Sequence, residues 1–504
     1  MLYSTDPRSG RRTAVDIEPT SDDEVAATLE RATAAAHVLR SEPRAWRSHL
    51  LRSLADALTR RGEELVSAAL AETGLTRSRL EGEVARAAGQ FRLFADVVDE
   101  GSYLEAAIDH AVESPSGRAP EIRRMLVPLG PVAVFGSSNF PFAFSVAGGD
   151  TASALAAGNP VILKAHSSHI EVSRLSFEIL DAAARSAGAP PGTLEIVYGQ
   201  EAGRALVAHP AVRAVGFTGS QSTAEALLEV IRGRAEPIPF YGELSSLNPL
   251  IVSAQAAVAR STQIAEGLIQ SVLGSSGQLC TKPGLLFVPG AATELVDALV
   301  AAVSREGSHV LLNDRIATSY REISGRLVDA GAETAARGSG PETEFSVNPA
   351  LLVIPAHDFT SEVAEEVFGP LAVIVRYRDV SEIPPALDAV PGSLTATIHS
   401  EPQEQDFRAA VVDAIEDRVG RIVFNGYPTG VRVSWAQHHG GPWPATNTQH
   451  TSVGATAIRR FLRPLAWQDA PEDVLPTELR NDSDVPRRID GALILAGAST
   501  AQGR

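Results

Sequence analysis

Cysteine is almost missing from this chain: Cys280 is the only one in 504 residues. An internal disulfide is excluded. Without a Cys-x-x-Cys pair or a His/Cys cluster, no metal site is expected. A reducing compartment, the cytoplasm, fits that usage. Positive charge is also scarce, with 44 Lys and Arg against 61 Asp and Glu and a net charge of -17. Nucleic acid and anionic membrane surfaces call for a positive field, so neither is expected as a partner. No run approaches the ~18 consecutive apolar residues of a membrane span, and the apolar stretch at 491–496 is far too short. Residues 1–20 carry Asp6, Arg8, Arg11 and Arg12 but no apolar core, so a signal peptide is not expected. Internal repeats and low-complexity tracts are absent too.

What remains suits a soluble globular protein. Apolar residues make up 44% and charged residues 21% of the chain, and its length implies two to four units at ~150 residues each. Ser21-Asp22-Asp23-Glu24 has the form of a capping box. Behind it, Val25, Leu29, Ala32, Ala36 and Leu39 fall at helical spacing. Further helical patterns cover 43–58, 63–72 and 79–98. The first hundred residues read as helices on the outside of a sheet, with no chemistry assigned to them. Residues 101–127 are polar and broken by Pro115, Gly117 and Pro120, which predicts an extended arm or hairpin.

From residue 131 short apolar runs alternate with helical patterns. Strands are predicted at 131–135, 161–164, 193–198 and 214–217, with helices at 147–157, 170–187, 201–208 and 223–231 between them. That order is the pattern of a parallel sheet covered on both faces. Such sheets bind ligands at the carboxyl ends of their strands. A second series follows Glu243, with strands at 249–252, 285–288, 350–354, 371–375, 394–398 and 421–424 and helices at 258–273, 292–305, 314–330 and 402–418. The tail from Asp469 is polar and dotted with proline. Two α/β halves leave a cleft between them suited to a cofactor and a second ligand.

Cys280 belongs to the second half, in Gly277-Gln278-Leu279-Cys280-Thr281-Lys282-Pro283-Gly284. A lone cysteine is commonly a small buried hydrophobe. This one lies in a glycine-flanked, loop-like stretch, and Lys282 stands near enough in sequence to lower its pKa. Glu243 sits where a strand leaves the sheet, next to Gly242 and two serines. It is either a solvated loop acid or a general base raised by burial. Asn139, in Ser137-Ser138-Asn139-Phe140-Pro141, is a turn residue or an amide donor to an oxyanion. Gly216-Phe217-Thr218-Gly219-Ser220 ends a strand and opens a helix whose N–H groups can hold a pyrophosphate. Lys164 ends another strand within reach of a ribose or phosphate. Glu365-Glu366-Val367-Phe368-Gly369-Pro370 offers carboxylates for ribose hydroxyls or simply caps a turn.

Taken together and in this order, Asn139-Phe140-Pro141, Lys164, Phe217-Thr218-Gly219-Ser220, Glu243-Leu244, Gly277-Gln278-Leu279-Cys280 and Glu366-Val367-Phe368-Gly369-Pro370 resemble the aldehyde dehydrogenase superfamily across roughly residues 15–470. Residues 139–158, Lys164-Ala165-His166, Cys280-Thr281-Lys282-Pro283-Gly284 and His439-Gly440-Gly441-Pro442-Trp443-Pro444-Ala445-Thr446 are most similar to the α-ketoglutaric semialdehyde (2,5-dioxopentanoate) dehydrogenases. NADP-dependent long-chain aldehyde dehydrogenases share much of that pattern.

The resemblance implies an α/β fold, aldehyde dehydrogenase-like, of two doubly wound domains plus a small oligomerisation arm. Residues 1–100 and 128–242 form the cofactor-binding domain, 101–127 the arm, 243–454 the catalytic domain and 455–504 a C-terminal oligomerisation segment and tail. A homodimer or homotetramer follows. By the same resemblance Cys280 attacks the aldehyde, Asn139 holds the oxyanion, and Glu243 activates the water that cleaves the thioester. Lys164, Ser167, Gly219, Ser220, Glu366 and Phe368 contact NADP or NAD, and His166 adds a polar contact. Ser167 stands where NAD-preferring relatives often carry an acid, so NADP is expected to be accepted. Phe142, Arg432 and Trp435 are candidates for the substrate, Arg432 for a carboxylate. Ser245-Ser246 replaces the usual Gly-Gly, and Ala224 a second glycine. A dehydrogenase of aliphatic or aromatic aldehydes and a catalytically silent binding homologue are the alternatives.

Overall fold

The computed structural model describes residues 1–496. It opens on an antiparallel hairpin, Leu2–Asp6 with Arg11–Val15, which the helical reading of the first hundred residues passes over. These strands are mostly polar. They are closed by a local side-chain device: Asp6 Oδ1 accepts from Arg8 N at 2.9 Å and Oδ2 from Ser9 Oγ at 2.6 Å. Such turns do not depend on apolar periodicity.

Four helices follow, Asp22–Ser41, Arg44–Arg60, Gly62–Thr73 and Arg77–Glu100. The capping box is present at the first: Glu24 Oε2 accepts from Ser21 N at 2.7 Å, and Ser21 Oγ from Glu24 N at 3.3 Å. The fourth starts at the Thr76 cap and stops on Gly101, whose φ of +85° closes the last turn in the left-handed conformation. It buries Leu80, Val84, Ala87, Phe91 and Phe94 at helical spacing against the main core.

Two parallel sheets carry the rest. In the first the strands lie in the order Phe240–Glu243, Ala214–Thr218, Val132–Phe135, Val161–Lys164, Leu194–Val197, all parallel. The chain runs outward from Val132–Phe135 in one direction and then returns to build in the other. The strand order therefore reverses beside that strand, where such sheets open a ligand crevice. The second sheet has seven strands, in the order Glu333–Arg337, Ala350–Pro355, Leu371–Tyr377, Leu285–Pro289, Leu250–Val252, Ser393–His399, Val419–Phe424. Glu333–Arg337 is antiparallel and has no counterpart among the expected strands. Its apolar residues are two adjacent alanines, of which only Ala336 is buried, so no alternation marks it.

Residues 101–127 and the C-terminal segment meet in a sheet of their own, ordered Leu462–Gln468, Ile122–Pro128, Ala106–Asp109, Arg487–Ile489, Ala492–Ile494. The tail beyond Asp469 is thus partly strand. No helix among the described residues is long and apolar enough to cross a membrane.

One buried ion pair joins the first sheet to the C-terminal segment. Arg460 Nη2 meets Asp150 Oδ1 at 2.5 Å, and Asp150 lies over Gly216, where a Cβ would come within 2.8 Å of its carboxylate. Removing one member leaves the other charge stranded. Asp150→Ala is expected to cost about 3 kcal/mol, read as a lower Tm in a thermal-shift assay.

Candidate active site

The loop of Cys280 is held in an unusual conformation. After the helix Ser261–Leu273, residues Ser275, Ser276 and Gly277 all take positive φ, at 52°, 56° and 68°. Two successive non-glycine residues there are strained, so something must hold them. Arg79 Nη1 donates to Ser275 Oγ at 2.7 Å. Gly277 lies so close to the next motif that a Cβ would come within 2.1 Å of the Gly369 carbonyl oxygen. Asn248 Nδ2 ties down the other side, donating to the carbonyls of Cys280 and Lys282 at 2.8 and 2.9 Å. Cys280 itself is half-buried.

Asn139 follows the strand Val132–Phe135, and its Nδ2 donates to the Gln278 carbonyl at 3.0 Å. One amide hydrogen thus pins the two loops together, and the second has no partner among the described residues. The helix Arg77–Glu100 holds this loop with a polar stripe. Arg79 lies 4.3 Å above the Phe140 ring. Glu83 Oε2 accepts from Phe142 N at 3.4 Å, and Gln90 Nε2 donates to the Ala143 carbonyl at 3.0 Å. Positions 79, 83, 86 and 90 fall on one helical face. The stripe is visible in the sequence as four polar residues, Arg79, Glu83, Arg86 and Gln90, at helical spacing.

Glu243 ends the strand Phe240–Glu243 and is sealed from solvent. Its Oε1 lies 2.9 Å from His439 Nε2 and its Oε2 accepts from Ser452 Oγ at 2.5 Å. His439 Nε2 is also 3.6 Å from Cys280 Sγ. Thiol, imidazole and carboxylate therefore form one cluster, their ligand-capable atoms all within 4.8 Å of one another. The sequence reading quotes His439 only as the first residue of His-Gly-Gly-Pro and gives it no role. Burial pushes the Glu243 carboxyl up, but the His439 charge and hydrogen bonds from His439, Ser452 and Cys280 outweigh it and hold it near about 2. Glu243 is thus not a base raised by burial. The Cys280 thiol moves the other way. Burial raises it well above its ordinary value, the adjacent Glu243 carboxylate adds to the rise, and Arg86 opposes both.

Lys282 does not serve the thiol. Its Nζ donates to the carbonyls of Val367 and Leu371 at 2.8 and 2.7 Å, which braces the nucleophile loop against the Glu366–Pro370 segment. Burial lowers it to about 8. Glu366 Oε2 accepts from Ser245 Oγ at 2.6 Å and Ser246 N at 3.1 Å, so the departure from Gly-Gly adds a hydroxyl donor to this carboxylate. Glu365 instead pairs with Arg326 at the surface.

Several residues expected to contact the nucleotide lie at the carboxyl ends of the first sheet. Gly219 N donates to the Glu243 carbonyl at 3.1 Å, and Ser220 caps the helix Gln221–Arg232. Lys164 is lowered to about 8 by burial, with Arg315 adding to the effect, and its ammonium makes no hydrogen bond among the described residues. Its three N–H donors have no partner among the described residues and are left for a ligand. Ser167 is exposed, and Arg315 Nη2 lies 3.4 Å from its hydroxyl. The sequence reading does not consider Arg315, which comes from the other half. His166 stacks on His169, with ring centroids 5.3 Å apart, and accepts from Ser168 N. Phe368 is partly exposed.

Of the three substrate candidates one is excluded by its burial. Phe142 is fully buried in the main core and has no surface to offer a substrate. Arg432 is exposed and makes no ion pair among the described residues, and Trp435 is 49% exposed.

A half-buried thiol, an amide donor and a sealed carboxylate at the edge of a dinucleotide-type sheet define a cysteine enzyme working with a nucleotide. The chain matches the description "Aldehyde dehydrogenase family" over residues 3–460. It is 44% identical over 480 residues to α-ketoglutaric semialdehyde dehydrogenase 2 of Azospirillum brasilense, covering 93% of this chain and 91% of the relative. It is 38% identical over 458 residues to α-ketoglutaric semialdehyde dehydrogenase of Acinetobacter baylyi, covering 89% and 87%. Among solved structures, aldehyde dehydrogenase 21 of Physcomitrella patens in complex with the reaction product succinate shares the fold at a TM-score of 0.78 and 21% identity, covering 94% of this chain and 96% of that one. 1-Pyrroline-5-carboxylate dehydrogenase from Thermus with bound NAD does so at 0.77 and 23%, covering 93% and 89%. The chain belongs to the aldehyde dehydrogenase family. It is an NAD(P)-dependent enzyme that oxidises an aldehyde to a carboxylic acid.

The Glu243–Cys280 contact yields a test of reactivity. In Glu243→Gln the like charge beside the thiolate is gone, so the Cys280 pKa falls. Iodoacetamide alkylation at pH 7 is expected to speed up, and the midpoint of its pH profile to move down, measured by mass spectrometry over time. An unchanged profile would refute the electrostatic reading.

Proposed function

We propose that the enzyme oxidises 2,5-dioxopentanoate to 2-oxoglutarate, with NADP as the preferred acceptor. The observation that carries the substrate is the similarity to two relatives that bear this activity in their names, over most of both chains. In this reading Cys280 gives up its proton to Glu243, which releases it to solvent before deacylation, and the thiolate adds to the aldehyde carbon. The Asn139 amide and the Cys280 N–H hold the resulting oxyanion. One preorganised donor of this kind supplies about 3 kcal/mol. Bound nicotinamide supplies the hydride acceptor. Glu243, kept ionised by His439 and Ser452, then takes a proton from the water that attacks the Cys280 thioester. His439 orients that carboxylate and offsets its charge while the thiolate forms beside it.

The preference for NADP rests on Ser167, Lys164 and Arg315. Two cations and a neutral hydroxyl stand where an acid would repel a 2′-phosphate. The arm sheet, whose outer strands end in open edges, supports a homodimer or homotetramer built across it. The lone thiol suits the cytoplasm.

Cys280→Ala is expected to abolish NAD(P)H formation with every aldehyde, followed by absorbance. Wild-type enzyme is expected to show its highest kcat/KM on 2,5-dioxopentanoate. A tenfold preference for hexanal would shift the substrate to the aliphatic class. In Ser167→Glu the Kd of NADPH, read from quenching of protein fluorescence, is expected to rise roughly 10- to 100-fold, with little change for NADH.

A further inference from the structure

We infer that Arg86 is the group that binds the substrate's carboxylate and so sets the enzyme's preference for acidic semialdehydes; this rests on the substrate class proposed above. Arg86 lies in the middle of the helix Arg77–Glu100, in the stripe that holds the Asn139 loop. Its neighbours in the stripe are satisfied: Arg79 pairs with Glu83 at 2.9 Å and with Ser275, and Glu83 also accepts from Phe142 N. Arg86 has no hydrogen-bond or ion-pair partner among the described residues. Its Nε and Nη2 are shut away from solvent with nothing to donate to, which leaves Nη1 as the nitrogen that reaches open space.

The guanidinium lies over aromatic faces, 5.1 Å from the centroid of the Phe144 ring and 5.9 Å from that of Phe140. Phe144 in turn stands 6.2 Å from the His439 ring. Phe144 therefore neighbours both Arg86 and the imidazole of the thiol, imidazole and carboxylate cluster. The carbon chain of 2,5-dioxopentanoate places carboxylate and aldehyde carbons about 5 Å apart when extended, a span on the scale of that ring. Stacking on Phe140 and Phe144 orients the planar fork without using its N–H groups.

A cation kept half-buried without a counter-ion is costly unless a ligand brings the opposite charge. The nearest acid on the same helix, Glu83, is already committed. The other negative groups that Arg86 feels are Cys280 and Glu243, the two groups that react. A dicarboxylic semialdehyde supplies the missing anion and points its aldehyde toward Cys280. The same position also lets Arg86 favour the Cys280 thiolate, and the test separates the two roles.

In Arg86→Leu, the ratio of kcat/KM for 2,5-dioxopentanoate to that for hexanal is expected to fall roughly 10- to 100-fold, mostly through KM. The midpoint of the iodoacetamide pH profile should move far less than that loss implies. Arg86→Lys, which keeps the charge but not the fork, should recover part of the ratio and guards against a folding defect in the first variant. An equal fall for both aldehydes, with the alkylation midpoint moved up to match, would overturn the assignment and make Arg86 a thiolate-stabilising residue. Wild-type enzyme that oxidises hexanal but not 2,5-dioxopentanoate would defeat the substrate reading alone. Glutarate inhibition of hexanal oxidation then decides on Arg86: a Ki that rises in Arg86→Lys and Arg86→Leu supports it, and an unchanged Ki overturns it.

Discussion

Glu243 is held at the end of its strand by His439 at 2.9 Å and Ser452 at 2.5 Å, with almost no surface left to water. An ionised carboxylate so placed needs partners, and the surrounding structure is arranged to supply them. Ser452 reaches back to the His439 carbonyl. Arg460 lies behind Ser452 and closes on Asp150, which rests on the central region of the first sheet. The carboxylate is thus the outer end of a buried polar chain whose inner end is anchored in the cofactor half. Its own backbone carbonyl accepts from Gly219, so Glu243 and the Gly219-Ser220 turn share a hydrogen bond. Few of these parts can shift alone.

The thiol is set against that carboxylate. Burial and the Glu243 charge both disfavour the thiolate in the resting enzyme, and Arg86 is the cation that leans the other way. A thiol whose ionisation is disfavoured in this way is less open to indiscriminate alkylation and oxidation. Reactivity then depends on what enters the pocket as well as on what lines it.

The alternation of strands and helices was legible because it is written in local periods of two and 3.6 residues, and both α/β halves appear where those periods change. The motif residues Asn139, Glu243 and Cys280 converge because each follows the carboxyl end of a strand or a glycine-rich turn. What stayed hidden depends on long-range placement. His439 is 159 residues from the thiol it meets, and nothing around it in sequence marks it as a partner. Lys282 shows the converse. It is two residues from Cys280 yet points into the Val367 and Leu371 carbonyls. Phe142 belongs to a quoted motif but fills the core. Arg86 sits in a stretch whose amphipathic pattern accounts for the helix and conceals the use of its polar face.

The near-contact of Gly277 with Gly369 carries a consequence for how such a site can change. Neither position tolerates a side chain: one would strike a backbone carbonyl, the other the Tyr320 ring at 2.5 Å. Both also hold positive φ, at 68° and 158°. At this point the loop that carries the sulfur and the loop that carries Glu366 are stacked backbone on backbone, and the Lys282 side chain ties them together a few residues on. A displacement of one has to be passed to the other almost undiminished. The position of the Glu366 loop and that of the Cys280 sulfur become, in mechanical terms, a single coordinate.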